Sequence, residues 1–171
     1  MFRPRLAGLS IVLVAALGAG AAISQAAEPT VSCDQIVLRE RSGTEDGFRV
    51  LLGAVSVPGE RQLAGATTPT PGRGWTHFRN AGLAVLAGTP SVGVSVPEGW
   101  RDRVAVSWGG SPATSSVRFA PCGGSGPRAW NAYSGGIHLR SRADCVPLVV
   151  TVGGTSTTVR VGVGRACGAR G

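Results

Sequence analysis

Serine, histidine and carboxylate side chains are the groups through which this sequence could carry out hydrolysis. Two histidines are present, His77 and His138. His138 alternates with apolar neighbours, which places it on the outward face of a strand, and Asp102 or Asp144 could approach it there. Nucleophilic catalysis also needs an oriented base beside a serine or cysteine, and no GxSxG elbow marks one. We therefore predict no catalytic residue, with a triad built on His138 as the alternative.

Paired acids could hydrolyse a glycosidic bond. The acids to consider are Glu40, Glu45, Asp46, Glu60, Glu98, Asp102 and Asp144. Glu45 and Asp46 belong to SGTEDGF, a hairpin-turn pattern, and Glu98 and Asp102 flank Trp100 on a predicted bend. Acids at such positions commonly form turns or pair with nearby arginines, so no hydrolytic pair is predicted. A calcium site in the SGTEDG loop is the alternative, although the EF-hand spacing is absent.

No cofactor is predicted. Zinc sites use closely spaced ligands such as CxxC, whereas the two nearest cysteines, Cys145 and Cys167, are 22 residues apart. A phosphate-binding loop needs the pattern GxxxxGK, and the chain contains no lysine. The sequence therefore excludes a P-loop nucleotide site and argues against zinc.

Trp100, Trp130 and Tyr133 are the candidate ligand-binding residues. Together they could form an aromatic platform on which a sugar ring stacks, provided that their rings point outward. Trp108 shares the parity of the valines that precede it, so it is predicted to point into the core, as large aromatics usually do. The same burial tendency favours a structural role for Trp100 and Trp130, with glycan binding as the alternative.

The formal charge of the chain is +8, and every basic residue is arginine. Beyond residue 26 there remain 15 arginines against nine acids, a charge of +6, because Arg3 and Arg5 precede that point. The arginines are dispersed and several adjoin acids, as in Arg39-Glu40-Arg41, whereas a nucleic-acid footprint is clustered. We therefore predict a solvated β surface and no nucleic-acid partner.

The first 26 residues have the pattern of a secretory signal peptide. Arg3 and Arg5 supply a positive n-region, residues 6–23 are apolar and rich in small side chains, and residues 24–26 fit a cleavage site. One domain, residues 27–171, is predicted to follow. The alternative is an uncleaved membrane anchor, because the apolar run reaches the lower length limit for a spanning helix.

Four cysteines lie beyond this segment, namely Cys33, Cys122, Cys145 and Cys167. An even number in an exported chain predicts two disulfides. Alternating strand directions favour Cys145 with Cys167 and Cys33 with Cys122. The pairing of Cys33 with Cys167 and Cys122 with Cys145 stays open, because the hairpin register sets Cys145 opposite Gly162 or Gly164. The favoured pairing therefore requires the chain to curl back before Cys167.

A period of two dominates the sequence after residue 90. Apolar residues alternate with small or polar ones at 92–96, 104–108 and 117–119, and again on both sides of Gly153-Gly154. Such segments are typical of half-buried strands, and the glycine pair is typical of a hairpin turn. The arginines on these strands are predicted to face solvent and to limit pairing at sheet edges; they include Arg118, Arg140 and Arg160.

The first half of the sequence is less regular. It contains predicted strands at 31–39, 48–57 and 83–87, and a predicted surface loop at 64–74; a helical turn or wide loop follows at 98–103. Roughly eight to ten short strands with frequent turns favour an all-β fold. We predict an antiparallel β-sandwich, immunoglobulin-like or jelly-roll-like, preceded by a cleaved signal helix.

Several segments resemble an uncharacterised family of secreted actinobacterial β-rich proteins. The segments are VPEGWRDRVAVSWG (96–109), WNAYSGG (130–136), CVPLVVTVGG (145–154) and the closing VGVGRAC. The resemblance extends over most of the chain from Phe48 onward. It implies a secreted domain with these aromatic and cysteine positions, and it implies no activity, ligand or catalytic residue.

Together these patterns favour a secreted or cell-envelope-associated binding or structural module without catalysis. The expected partner is a cell-wall glycan or another envelope protein, and neither a nucleic acid nor a nucleotide. Membrane contact would come only through an uncleaved signal segment. A secreted hydrolase acting on glycan or ester substrates is the alternative, and it predicts a concave site containing His138 or two acids. A glycan-binding module predicts an exposed Trp100 or Trp130 instead.

Overall fold

The computed structural model of the chain describes residues 27–40, 47–70, 74–124, 126 and 128–168. The predicted signal segment lies outside the described residues, as does nearly all of the SGTEDG loop. Within the described ranges, no helix is long and apolar enough to span a membrane.

Strands are the main regular structure of the described chain, at 48% of the residues, which confirms the predicted all-β class. The strands are β1 (Thr30–Val31), β2 (Leu38–Glu40), β3 (Phe48–Leu51), β4 (Val55–Pro58), β5 (Thr68–Pro69), β6 (His77–Asn80), β7 (Leu83–Leu86), β8 (Val92–Ser95), β9 (Val104–Trp108), β10 (Ser116–Phe119), β11 (Trp130–Tyr133), β12 (Gly135–Leu139), β13 (Asp144–Val152) and β14 (Thr155–Val163). One short helix, α1 (Glu60–Leu63), and two 3-10 turns, Cys33–Gln35 and Glu98–Trp100, complete the described elements. The second turn agrees with the helical turn predicted there.

The strands form three sheets. The first sheet has the order β1-β10-β8-β13-β14, the second β2-β11-β7-β4-β3, and the third β5-β6-β12-β9. Neighbouring strands are antiparallel except for the short parallel pair of β1 and β10. The chain passes directly between the second and third sheets at β6 to β7 and again at β11 to β12, so these two sheets lie side by side.

One hydrophobic core is shared by all three sheets. The valines that alternate along β8, β13 and β14 point into it, together with residues of the other two sheets such as Leu83 and Ile137. Phe119 of the first sheet contacts Tyr133 of the second sheet and Trp108 of the third, with ring centroids 4.9 Å and 6.4 Å apart. The first sheet therefore packs as one layer against the other two, the arrangement of a β-sandwich.

The strand parity predicted from the sequence is confirmed. Trp108 is buried, and its indole N–H donates a 2.8 Å hydrogen bond to the carbonyl of Ala81. Arg118, Arg140 and Arg160 are exposed. Side chains alternate between the two faces of a strand, so once the valines of a strand face the core, the arginines between them face solvent.

Two segments predicted as single strands are divided in the structure. A 3-10 turn separates β1 from β2, and residues 48–58 form the hairpin of β3 and β4. Three residues, 52–54, connect the paired Leu51 and Val55, and the first two of them, Leu52 and Gly53, have positive φ angles of 48° and 69°. Leucine rarely adopts a positive φ, so the sequence gives no signal for a turn at Leu52. The strands β5, β6 and β11 are also not predicted from the sequence.

Two disulfide bonds connect Cys33 to Cys122 and Cys145 to Cys167, so the prediction of two bridges is confirmed. Cys145 lies opposite Gly162 across the hairpin of β13 and β14. The chain turns back at Gly164, where φ is 72°, and this return brings Cys167 to its partner. Disulfides of this kind indicate an oxidising environment outside the cytoplasm.

Helix α1 holds the returning C-terminal segment in place. The backbone N–H of Gly164 donates to the carbonyl of Leu63, at 3.0 Å, and the N–H of Cys167 donates to Oε1 of Glu60, at 2.6 Å. Glu60 therefore has a structural role, because its carboxylate holds the backbone of Cys167 beside the second disulfide.

Candidate functional site

The three aromatic candidates do not form an exposed platform. Trp130 and Tyr133, both on β11, are 7% and 1% exposed. Trp100 is partly buried against the core, and the guanidinium carbon of Arg103 lies 3.7 Å from its ring centroid. A sugar ring stacking on Trp100 would therefore have to displace a cation–π contact.

His138 lies beside a serine rather than a carboxylate. Its Nε2 is 2.8 Å from Oγ of Ser107 on the adjacent strand β9, and its ring packs against Phe78. Partial burial lowers the pKa of His138 below its ordinary value of 6.5, which favours the neutral ring that can accept the Ser107 hydroxyl proton. Among the described residues, no carboxylate hydrogen-bonds to His138 to orient it as in a triad.

The acids considered from the sequence whose side chains the structure describes, Glu60, Glu98, Asp102 and Asp144, form no cluster of metal ligands. Oδ1 of Asp144 accepts the N–H of Cys145 and lies 3.9 Å from a guanidinium nitrogen of Arg165. Glu98 and Asp102 make no ion pair with their neighbouring arginines within the described part of the chain. No group of three potential metal ligands occurs in the described ranges, and Glu45 and Asp46 lie outside them.

A groove on the outer face of the first sheet is the candidate site. It has a volume of about 430 Å³, within the size range of small-ligand pockets. Its lining residues come from β8 and the two residues before it, from β10 and β13, from the turn of the β13–β14 hairpin, and from Glu28 just before β1. By contrast, the void between the layers is about 20 Å³, too small for a ligand.

The floor of the groove is a glycine in the middle of a sheet. Gly93 of β8 is paired with Arg118 on one side and with Thr151 on the other, and Thr151 is paired in turn with Ser156. These four residues form a row across four strands that are spaced about 4.8 Å apart. Because Gly93 has no side chain, the groove opens on the sheet surface between Arg118 and Thr151.

Polar side chains line the groove beside this floor. Ser91, Ser95 and Thr151 contribute hydroxyl groups, and each hydroxyl can donate and accept hydrogen bonds. Oγ1 of Thr151 lies 2.8 Å from Oγ of Ser156, which holds the two hydroxyls together on the sheet surface. The site therefore offers several hydroxyl groups on a rigid β-sheet.

An ion pair forms one end of the groove. Nε and Nη2 of Arg118 donate to Oε2 of Glu28 at 3.1 Å and 2.7 Å, and Nη1 donates to Oγ of Ser91 at 3.3 Å. The side chain of Arg118 is 53% exposed and that of Glu28 is 28% exposed. These are the two charged side chains among the groove residues, so their charges cancel there.

A glycine turn forms the opposite wall. Gly153 and Gly154 have φ angles of 53° and 91° and form a two-residue turn between the paired Val152 and Thr155, at the glycine pair where a hairpin turn is predicted. The N–H of Gly153 donates to the carbonyl of Ser91 at 3.4 Å. This contact ties the turn to the start of β8, so both walls of the groove are attached to one sheet.

Gly93, Glu28 and Ser107 are not among the site residues predicted from the sequence. The available signal for Gly93 was its outward position within the strand pattern SVGVSV, because a glycine in a strand interior often marks close approach of a ligand or another backbone. Glu28 is brought to Arg118 by the pairing of β1 with β10, and Ser107 is brought to His138 by the pairing of β9 with β12. Neither contact has a local sequence signal.

The fold and the groove define an all-β, disulfide-bonded protein with a polar cleft on one sheet face. No protein-family model, curated protein or solved structure matches the chain.

Proposed function

We propose that this protein is a secreted or cell-envelope-associated binding module that holds an extended polysaccharide in the groove of the first sheet. The predicted signal segment and the two disulfides support a location outside the cytoplasm. Hydroxyl and charged side chains around a glycine floor support a ligand that is rich in hydroxyl groups.

The main support for this proposal is the glycine at position 93, in the interior of strand β8. A Cβ atom built on Gly93 would meet no atom closer than 3.8 Å, so its neighbours do not require a glycine. Glycine in a strand interior costs about 0.5–1 kcal/mol relative to alanine. A ligand that approaches the sheet at this point would explain the glycine, because the absence of a side chain leaves room for the ligand.

The arrangement of the hydroxyl groups favours a linear polymer. Ser91, Gly93 and Ser95 recur at every second residue along the chain and line the groove together, while Arg118 and Thr151 flank Gly93 on the neighbouring strands. The two serines are four residues apart, about 13 Å along an extended strand. An extended polysaccharide that lies along β8 would therefore meet both serine hydroxyls.

Binding of the purified protein to immobilised dextran, mannan, galactan, xylan and peptidoglycan tests the proposal. The groove-filling variant Gly93→Thr should lose at least about tenfold in affinity, a loss of about 1.4 kcal/mol. Gly99→Ala, at an exposed glycine with open space around it, and Trp100→Ala are the matched controls and should retain binding.

Failure of the wild-type protein to bind every polysaccharide would overturn the proposal, as would unchanged binding by Gly93→Thr. Loss of binding in Trp100→Ala, with Gly93→Thr unaffected, would move the site to the aromatic residue predicted from the sequence. Either result is separable from misfolding by the thermal unfolding curve of each variant.

Ester hydrolysis is a second candidate function, because Oγ of Ser107 lies 2.8 Å from Nε2 of His138. In this reaction the serine oxygen attacks the ester carbonyl, His138 takes the hydroxyl proton and delivers it to the departing alcohol, and water then hydrolyses the acyl-serine. Hydrolysis of p-nitrophenyl acetate tests it. Activity lost in Ser107→Ala but kept in Ser116→Ala would support a hydrolase, whereas equal rates in both variants would exclude Ser107 as the nucleophile.

A further inference from the structure

We infer that the groove selects neutral polysaccharides, and that Arg118 and Glu28 recognise them by binding adjacent hydroxyl groups of one sugar ring. This inference rests on the proposed function and adds the chemical class of its ligand. It depends on the ion pair at the end of the groove, and not on the overall charge of the chain.

The ion pair presents a donor and an acceptor side by side. Arginine only donates hydrogen bonds and an ionised carboxylate only accepts them, whereas a sugar hydroxyl does both. A diol on one ring can therefore accept from Arg118 with one oxygen and donate to Glu28 with the other. Hydrogen bonds to charged partners are about twice as strong as neutral ones.

The hydrogen bonds of Glu28 leave one oxygen available. Both Nε and Nη2 of Arg118 donate to the same oxygen, Oε2. Within the described part of the chain, Oε1 of Glu28 receives no hydrogen bond. This second oxygen can accept a ligand hydroxyl without breaking the ion pair.

Arg118 is held in position but is not saturated. Its contact from Nη1 to Ser91 Oγ is long, at 3.3 Å, and its side chain is half exposed. A ligand hydroxyl can therefore replace Ser91 as the acceptor for Nη1, and Ser91 can then bond to the ligand as well.

Anionic polysaccharides are disfavoured in the groove for an electrostatic reason. The charge of Arg118 is already balanced by Glu28, and a ligand carboxylate near Oε1 would be repelled. The chain as a whole carries a formal charge of +8, so anionic polymers are expected to bind elsewhere on the surface. That attraction should weaken with salt, because the Debye length falls from about 8 Å at 0.15 M to about 3 Å at 1 M.

The test compares neutral polysaccharides with their carboxymethylated derivatives. Dextran, mannan, galactan and xylan are each presented in both forms, at salt concentrations of about 0.15 M and 1 M. We expect the wild-type protein to bind at least one neutral polymer with an affinity that salt hardly changes. We expect its carboxymethylated form to bind at least about tenfold more weakly at the higher salt concentration.

Glu28→Gln is the decisive variant because it removes one negative charge and leaves Arg118 uncompensated. It should bind the neutral polymer about tenfold more weakly and gain affinity for the carboxymethylated form. Glu98→Gln removes the same charge from an exposed acid outside the groove and should leave the preference unchanged. Arg118→Gln should lose the neutral ligand, whereas Arg160→Gln, on the same sheet outside the groove, should retain it.

The outcomes separate the two proposals. If the wild-type protein binds no polysaccharide of either series and no peptidoglycan, the proposed function and this inference both fail, and if it binds peptidoglycan alone, only the inference fails. If it binds the carboxymethylated form as tightly as the neutral one at about 1 M salt, only the inference fails. The inference also fails if Glu28→Gln, folded by its thermal unfolding curve, keeps the wild-type preference.

Discussion

Gly93 of β8 is paired with Thr151 of β13, and a Cβ atom on Gly93 would lie 3.8 Å from the Cβ atom of Thr151. This distance is an ordinary van der Waals contact. Replacing Gly93 should therefore stabilise the sheet, because a β-branched residue fits a half-buried strand better than glycine. We predict that Gly93→Thr raises the free energy of unfolding by about 0.5–1 kcal/mol and the Tm by about 1–4 °C.

Thermal unfolding monitored by circular dichroism measures this change. The combination of a higher Tm with weaker polysaccharide binding would identify Gly93 as a residue at which function limits stability. A lower Tm would instead assign Gly93 a structural role in the first sheet, and would remove the main support for the groove as a binding site.

Gly136 of β12 provides the opposite case. A Cβ atom there would lie 2.0 Å from the carbonyl oxygen of Arg79 and 2.8 Å from Cζ of Phe78. Because a backbone oxygen cannot move away easily, Gly136→Ala should destabilise the protein by about 1–3 kcal/mol, measured by urea denaturation. A free energy of unfolding equal to that of wild type would mean that β6 and β12 can separate without cost.

The sequence predicts the parts of the fold that depend on one strand at a time. Alternation along 92–96 and 104–108 is sufficient to assign Val94 to the core and Trp108 to a buried position, because side-chain parity is a local property. The hairpin at Gly153-Gly154 is also predictable, because a glycine pair between two alternating segments is a local signal for a turn. The turn at Leu52 is not, because its positive φ is imposed by the pairing of β3 with β4.

The candidate groove depends on pairings between distant segments, which a single sequence does not specify. Glu28 and Arg118 are 90 residues apart and meet only because β1 pairs with β10. The aromatic residues considered from the sequence are large and therefore conspicuous, but the same size favours their burial, as at Trp130 and Tyr133. The groove is formed by the absence of a side chain at Gly93, and a single glycine in an alternating pattern is only a weak sequence signal for a groove.

The two disulfides should contribute unequally to stability. Cys33 and Cys122 are separated by 89 residues, and Cys145 and Cys167 by 22. The chain-entropy relation gives about 4.6 kcal/mol for the longer loop and about 3.4 kcal/mol for the shorter one. We predict that replacing both cysteines of the first bridge by serine lowers the Tm more than the same change at the second bridge.

Scanning calorimetry of the two double variants gives the comparison, with thiol titration as the control for the remaining bridge. Each variant should show no free thiol if its other disulfide is formed. Equal Tm losses would contradict the loop-length argument. A free thiol in the wild-type protein would contradict the disulfide pairing itself.

His138 should make the stability of the protein depend on pH near neutrality. Burial lowers its pKa below the ordinary 6.5, so the unfolded chain binds a proton at a higher pH than the folded chain does. Stability is therefore complete above the unfolded pKa and is lost as the pH falls through it toward the folded pKa. We predict that the free energy of unfolding decreases from about pH 8 to pH 5, and that His138→Gln reduces this slope.

Glutamine is the informative replacement because its side chain can still hydrogen-bond to Ser107 while carrying no titratable proton in this range. His77 is present in both proteins, so the difference between the two pH profiles isolates the contribution of His138. Urea denaturation at each pH measures both profiles. Parallel profiles would show that His138 binds its proton equally well in the folded and unfolded chains, which would contradict the effect of burial on its pKa.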